Sequence, residues 1–270
     1  MSQVLYVYAI ARASHPLPER VEAIDGSDHI GSVPAGRLCA FYSAVDAADF
    51  SQPVIDARSK DVEWLGAIGY RHQAVMNALM RGGTVIPLRA FTLFANESSL
   101  RAHVLQDEAK FESILERLDG KQEWTLRIEF DPEPWNEAIV RRVESLRAID
   151  EESQRAAPGK AYLLRKKLEE EKKRASREAE EQVVREVGEE VMRALACDTV
   201  SESRVERGGA FPQINVLLDR DEESRLQGLR DDLNRRYGSD GVTLALTGPW
   251  PPYSFAGRMK DEGRRMKDEG

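Results

Sequence analysis

The helical pattern from Lys160 to Ala196 limits the possible folds more than any other stretch of the chain. Opposite charges recur four residues apart within it, as in Glu169–Lys173 and Glu170–Arg174. Each such pair adds only about 0.2–0.5 kcal/mol, but several together hold a solvated helix. Apolar residues gather at its two ends: Leu163, Leu164 and Leu168 first, then Val183, Val187, Val191 and Leu195. The middle, KKLEEEKKRASREAEEQ, is nearly bare of large apolar side chains. Such a helix projects from the body of a protein or bridges two parts of it. The chain has 270 residues, which is long for one compact domain and comfortable for two.

The first half reads as an α+β domain. Val4–Ala11 and Arg37–Val45 have strand composition, and proline and glycine break up the segment between them into loop with one short helix. Leu65, Ile68, His72, Val75, Met76 and Leu79 step by threes and fours, so they share one helical face ending at Gly82-Gly83. TVIPLRAFTLF reads as a strand, with Pro87 at an edge or bulge. A helix from about Glu97 to Leu118 follows, with Asn96 as N-cap. In EWTLRIEF, Trp124, Leu126, Ile128 and Phe130 alternate with Glu123, Thr125, Arg127 and Glu129, giving one packed and one wet face. DPEPW breaks that pattern, so the boundary is expected there: an N-terminal domain at 1–131 and a C-terminal one at 132–256.

The second domain opens with helical sequence from about Asn136 to Ser153, then the long helix. Asp198–Arg207 and Gln213–Asp219 read as strands joined at Gly208-Gly209. Leu226, Leu229, Leu233 and Tyr237 mark a helix, and Val242, Leu244 and Leu246 a strand. The order α-β-β-α-β, with one strand supplied in front, makes a ferredoxin-like sandwich. Residues 257–270 (GRMKDEG, RRMKDEG) are a near duplication without an apolar face, expected to be disordered.

The chain carries a net charge of −8, which argues against a nucleic-acid binder. Two distant cysteines, Cys39 and Cys197, fit a reducing compartment. The N-terminus lacks a basic leader region and no window approaches a membrane span, so a soluble cytoplasmic protein is expected. No phosphate loop, metal-ligand spacing or nucleophile motif is present; no catalytic residue, cofactor, metal or small-molecule substrate is expected.

Three features stand apart. His72 lies on an apolar helix face, where a core histidine is favoured over a base in a cleft. Arg89 sits in an apolar strand beside a proline; pairing with an acidic residue at the sheet edge is favoured over binding a carboxylate or phosphate. Gly248-Pro249-Trp250-Pro251-Pro252-Tyr253-Ser254-Phe255 packs three prolines and three aromatics into eight residues. The prolines end the strand before them and favour an extended polyproline-type path. The aromatics either seal their own domain, the favoured reading, or present themselves to a partner.

LYVYAIA, VIPLRAFTLF, PGKAYLLRKKL and GPWPPYSF, with EWTLRIEF, occur here in the order found in the gas vesicle protein F/L family (GvpF/GvpL), which the chain resembles from Leu5 to Phe255. One departure matters: the family usually reads Pro-Leu-Arg-Phe-Gly-Thr, whereas Arg89 is followed by Ala90, Phe91 and Thr92. Pro87, Leu88 and Arg89 carry over, and any bend the family's glycine makes must be made differently. The resemblance implies an N-terminal α+β domain, a C-terminal modified ferredoxin-like domain and an extended tail. It implies a non-enzymatic accessory or minor structural protein in gas vesicle assembly, located at the gas vesicle. The implied partners are the small hydrophobic major shell protein and other accessory proteins. Candidate contact residues are Pro87, Leu88, Arg89, Gly248, Pro249, Trp250, Pro251, Pro252, Tyr253 and Phe255. The alternatives are a scaffold that docks accessory proteins without touching the shell, and a small-ligand enzyme using Arg89 and His72.

Overall fold

The computed structural model describes residues 3–195, 197–202 and 211–256. They form two compact units: one holds the residues up to Gln122 together with Trp250–Ala256, the other is Glu123–Pro249.

The first unit is built on strand β1 (Gln3–Arg12), whose residues from Tyr6 to Ala11 are all buried. β2 (Gly31–Ala35) and β3 (Leu38–Asp46) extend the sheet on one side, antiparallel. β2 lies within the segment expected to be loop for its prolines and glycines; it is an edge strand, where the N–H donor missing at Pro34 costs little. Two short helices, α1 (Ala47–Phe50) and α2 (Gln52–Arg58), lead to α3 (Val62–Gly82), capped by the Asp61 carboxylate. TVIPLRAFTLF is two strands rather than one: β4 (Val85–Pro87) and β5 (Leu93–Phe94) both pair antiparallel with β1. The helix expected at 97–118 breaks at Asp107 into α4 (Glu97–Gln106) and α5 (Glu108–Leu118). Asn96 is its N-cap, in a capping box with Ser99.

The second unit begins at Glu123 within β6 (Lys121–Phe130), the strand expected ahead of the boundary. β6 is the front strand of the second sheet. Trp124, Leu126 and Ile128 face its core as the alternation requires, but Glu123, expected on the wet face, is 4% exposed. DPEPW supplies a helix start: Asp131 caps α6 (Pro132–Arg142) and Pro132 occupies the first turn. Next come α7 (Glu144–Arg155), α8 (Pro158–Leu195), β7 (Asp198–Glu202), β8 (Gln213–Asp219), α9 (Glu223–Tyr237) and β9 (Val242–Trp250). The sheet order is β7-β8-β6-β9, and the chain order of strands and helices is the one expected of a ferredoxin-like sandwich. The Gly208-Gly209 turn and residues 257–270 lie outside the described residues.

α8 has 38 residues, roughly 57 Å of helix. Val183, Val184, Val187, Val191 and Leu195 on its second half pack with Ile214, Val216 and Leu126 into the core of this unit. Its first half lies along α6 and α7, where Leu168 joins Ile139 and Leu146. The helix is therefore packed on one side along most of its length. Leu163, counted among its apolar ends, is exposed instead.

Candidate functional site

Three of the stretches that carry the resemblance meet around one buried imidazole. α3 turns His72 inward beside Ile68, Val75 and Met76, leaving it 5% exposed. Nδ1 lies 2.9 Å from the Tyr6 hydroxyl of β1, and Nε2 lies 2.8 Å from the Tyr253 hydroxyl of GPWPPYSF. A neutral imidazole has one N–H and one lone pair, so one tyrosine accepts and the other donates. Burial lowers the His72 pKa from 6.5 to about 4, against a weaker opposing effect of the hydrogen bond that the ring donates to the Leu88 main-chain carbonyl. Burial likewise raises Tyr6 well above the ordinary phenol range and Tyr8 to about 12. The knot is neutral, and neither histidine nitrogen is free to take a proton from a bound molecule. His72 is a core histidine, as its apolar helix face suggested, bonded to two tyrosine hydroxyls as well as to the Leu88 main chain.

β1 prepares this arrangement with a bulge. Its register against β3 shifts between Val7 and Ala9, which leaves Tyr8 as the extra residue. The Tyr8 hydroxyl lies 2.9 Å from Ser43 Oγ and accepts from the Ile24 N–H at 2.9 Å. The Tyr6 and Tyr8 rings stand 5.2 Å apart.

The Pro87-Leu88-Arg89 motif is fastened opposite the bulge. The Leu88 N–H donates to the Tyr8 carbonyl at 2.8 Å, and the Val7 N–H donates to the Thr92 carbonyl at 2.9 Å. Between these anchors the Thr92 N–H and hydroxyl both donate to the Arg89 carbonyl, closing a tight turn. Phe91 stands where the family usually has glycine, and it adopts φ +66°. A side chain in that left-handed region costs about 1–2 kcal/mol. The Phe91 ring stacks on Trp64, centroids 5.6 Å apart, and meets the Tyr6 edge at 6.2 Å, contacts that offset the strain. Pro87 and Leu88 are buried, but Arg89 and Ala90 are exposed. Among the described residues the Arg89 guanidinium has no acidic partner, so it does not form the sheet-edge ion pair favoured from sequence.

The C-terminal segment departs from its expected path twice. β9 continues through the cis Gly248–Pro249 bond to Trp250, which an edge strand allows. Gly248 has φ +141°, and a Cβ there would fall 2.8 Å from the Trp124 ring, so no other residue fits. Instead of an extended polyproline path, residues 251–256 form compact turns, with the Tyr253 N–H donating to Pro251 at 2.7 Å and the Ala256 N–H to Pro252 at 2.9 Å. Pro251, Pro252 and Phe255 are buried, and Arg117 donates to the Phe255 carbonyl. Tyr253 and Phe255 pack within the first unit rather than sealing the C-terminal domain. Trp250 remains 39% exposed.

Nothing in the sequence pairs His72 with a residue 181 positions away. Its place on an apolar face was the only available signal. Among the described residues, no cluster of His, Cys, Asp and Glu could hold a metal ion, and no helix is long and apolar enough to cross a membrane.

Comparison with known proteins agrees with the motifs. The family of the gas vesicle synthesis protein GvpL/GvpF matches residues 4–257. Gas vesicle protein L of Streptomyces sp. (strain CB03234) is 30% identical over 271 residues, covering 98% of this chain and 97% of the relative. Gas vesicle protein F of the same strain is 30% identical over 254 residues, covering 93% and 98%. The crystal structure of GvpF from Microcystis aeruginosa superposes with a TM-score of 0.66 at 14% identity, over 94% of this chain and 99% of that one, and shows the same fold. With a match of this extent, the chain belongs to the GvpL/GvpF family of gas vesicle synthesis proteins.

Proposed function

We propose that this protein acts in gas vesicle formation as a non-enzymatic assembly factor. It binds the small hydrophobic shell subunit, and it presents Arg89 to that subunit or to another vesicle protein. The observation that supports this is the division of labour within the motif turn. Pro87 and Leu88 are consumed in packing, whereas Arg89 is held out to solvent by a turn fastened at both ends and has no acidic partner among the described residues. A guanidinium pre-positioned on a rigid turn loses little freedom when it grips a carboxylate or a chain of carbonyls. The enzyme alternative loses its support, because His72 is enclosed by two tyrosines while Arg89 faces solvent.

The test is co-purification of the tagged protein with the shell subunit, and vesicle formation in cells carrying Arg89→Ala. The expected result is loss of both, with unchanged circular dichroism and melting. Normal capture and normal vesicles in the Arg89→Ala strain would sink the assignment of Arg89. Normal vesicles after deletion of the whole gene would sink the assembly role itself.

A further inference from the structure

One side of α8 is left uncovered from end to end, and its charges are ordered. Stepping by threes and fours along that side, Leu163, Lys166, Glu170 and Arg174 are exposed on the first half. Arg177 lies at the centre, and Glu181, Arg185, Glu189 and Met192 are exposed on the second half. Leu163 is 65% exposed and Met192 46%. Among the described residues, the only intramolecular ion pair in this stripe is Arg177–Glu181 at 3.4 Å. The helix also carries Lys160 near its start and no acidic residue in its first turn, the reverse of what the helix dipole favours. Basic residues thus dominate one end of the stripe and acidic residues the other.

A stripe of this kind is complementary to itself when reversed. Laying a second copy of α8 antiparallel, with Leu163 opposite Met192, fixes the register of every other position. Lys166 then meets Glu189, Glu170 meets Arg185, Arg174 meets Glu181, and Arg177 meets Glu178 near the two-fold axis. No like charges face each other, and the opposed helix dipoles attract. Because the axis is two-fold, each pair occurs twice, and the two apolar ends close the contact. A parallel pairing in register would instead put Lys166 on Lys166 and Glu170 on Glu170.

We infer that this protein associates with a second copy of itself through an antiparallel α8–α8 contact along this stripe. This goes beyond the proposed role in vesicle formation and does not depend on it. The contact is mostly charged and only lightly apolar, so the dimer is weak and salt-sensitive rather than obligate.

Sedimentation equilibrium of the full chain tests this at low and high salt. The expected result is a monomer–dimer equilibrium whose dissociation constant rises at least about tenfold from 50 to 500 mM salt. Glu170→Arg should abolish the dimer, because it sets Arg against Arg185 twice. Glu170→Arg with Arg185→Glu should restore it. All these positions are exposed, and unchanged circular dichroism checks that the variants fold. Geometry is read by cysteine cross-linking. Leu163→Cys with Met192→Cys should give disulfide-linked dimers, while Leu163→Cys alone should not, since its copies would lie roughly 44 Å apart. A monomer up to millimolar protein, a dimer indifferent to the charge swap, or cross-linking by Leu163→Cys alone would each overturn the inference.

Discussion

Acid should loosen the first unit through His72, by an amount that follows from how far burial depresses its pKa. In the folded chain the ring is buried between Tyr6 and Tyr253, and its pKa falls from 6.5 to about 4. The sign follows from linkage. The folded state keeps the ring neutral, while the unfolded chain takes up a proton as the pH drops through 6.5. Stability is therefore complete above 6.5 and declines down to the folded pKa near 4. Each pKa unit corresponds to 1.36 kcal/mol, so the full loss is about 3 kcal/mol, of which about 2 kcal/mol has gone by pH 5. Carboxylates elsewhere also respond to acid, so the informative quantity is a difference between two proteins. In His72→Gln, the amide can still meet both tyrosine hydroxyls and does not titrate. Its baseline stability will be lower, but its decline from pH 8 to pH 5 should be shallower by about 2 kcal/mol. Amide exchange of β1 peptides reports the opening of the first unit without requiring both units to unfold together. Equal pH dependence in the two proteins would refute the reasoning, because His72 would then be equally easy to protonate folded and unfolded.

Three further outcomes follow from single positions. Phe91→Gly relieves a left-handed backbone but loses the ring stacked on Trp64, for a net destabilisation of about 1 kcal/mol; Phe91→Ala keeps the strain, loses the ring, and should be worse. Urea midpoints ordering wild type, then Gly, then Ala would confirm the strain, and Ala above Gly would contradict it. Gly241→Ala combines φ +78° with a Cβ 2.5 Å from Pro134, so the second unit should lose about 2 kcal/mol or more in thermal unfolding, and an unchanged melting temperature would refute this. Tyr253→Phe removes the hydroxyl from His72 Nε2 and should cost about 1 kcal/mol, seen as faster exchange in residues 251–256; unchanged exchange there would show that the bond does not hold the segment.

Periodicity made the regular elements legible. β1, α3, the alternating face of β6 and the second apolar end of α8 all follow from side-chain spacing, which depends only on local geometry. What escaped were features decided by position in a sheet. Pro34 and Pro249 read as breakers, yet both sit in edge strands, and edge status is a property of the assembled sheet. The split of β4 from β5 escaped for a related reason. Its composition is that of a strand throughout, and only pairing with the bulged β1 forces the turn at Arg89–Thr92. The missing glycine in the family's motif did raise the question of that turn. The left-handed Phe91 answers it: the bend is kept, and ring contacts replace conformational freedom.

The stretches that make the chain recognisable are mostly stretches that make it fold. Tyr6, Leu88 and Tyr253 come from three different motifs and all reach His72, directly or through the main chain. Substituting Tyr6 or Tyr253 removes a hydroxyl partner from a buried polar knot, and substituting Leu88 removes a buried apolar side chain beside it, so each destabilises the fold before it can report on a partner protein. Loss of vesicles in a Tyr253 or Leu88 variant would thus say little about contact with the shell. The motif positions that can answer that question are among those the fold leaves at the surface, first of all Arg89 on its fastened turn, Trp250 at the end of β9, and Tyr162 and Leu163 at the start of α8. A variant at one of these four that keeps its melting temperature and loses vesicles would identify a contact with a partner. If all four tolerate alanine, the partner surface does not use the exposed aromatic and apolar motif positions or Arg89, and the charged motif residues Lys160, Arg165, Lys166, Lys167 and Arg127 are the ones left to test.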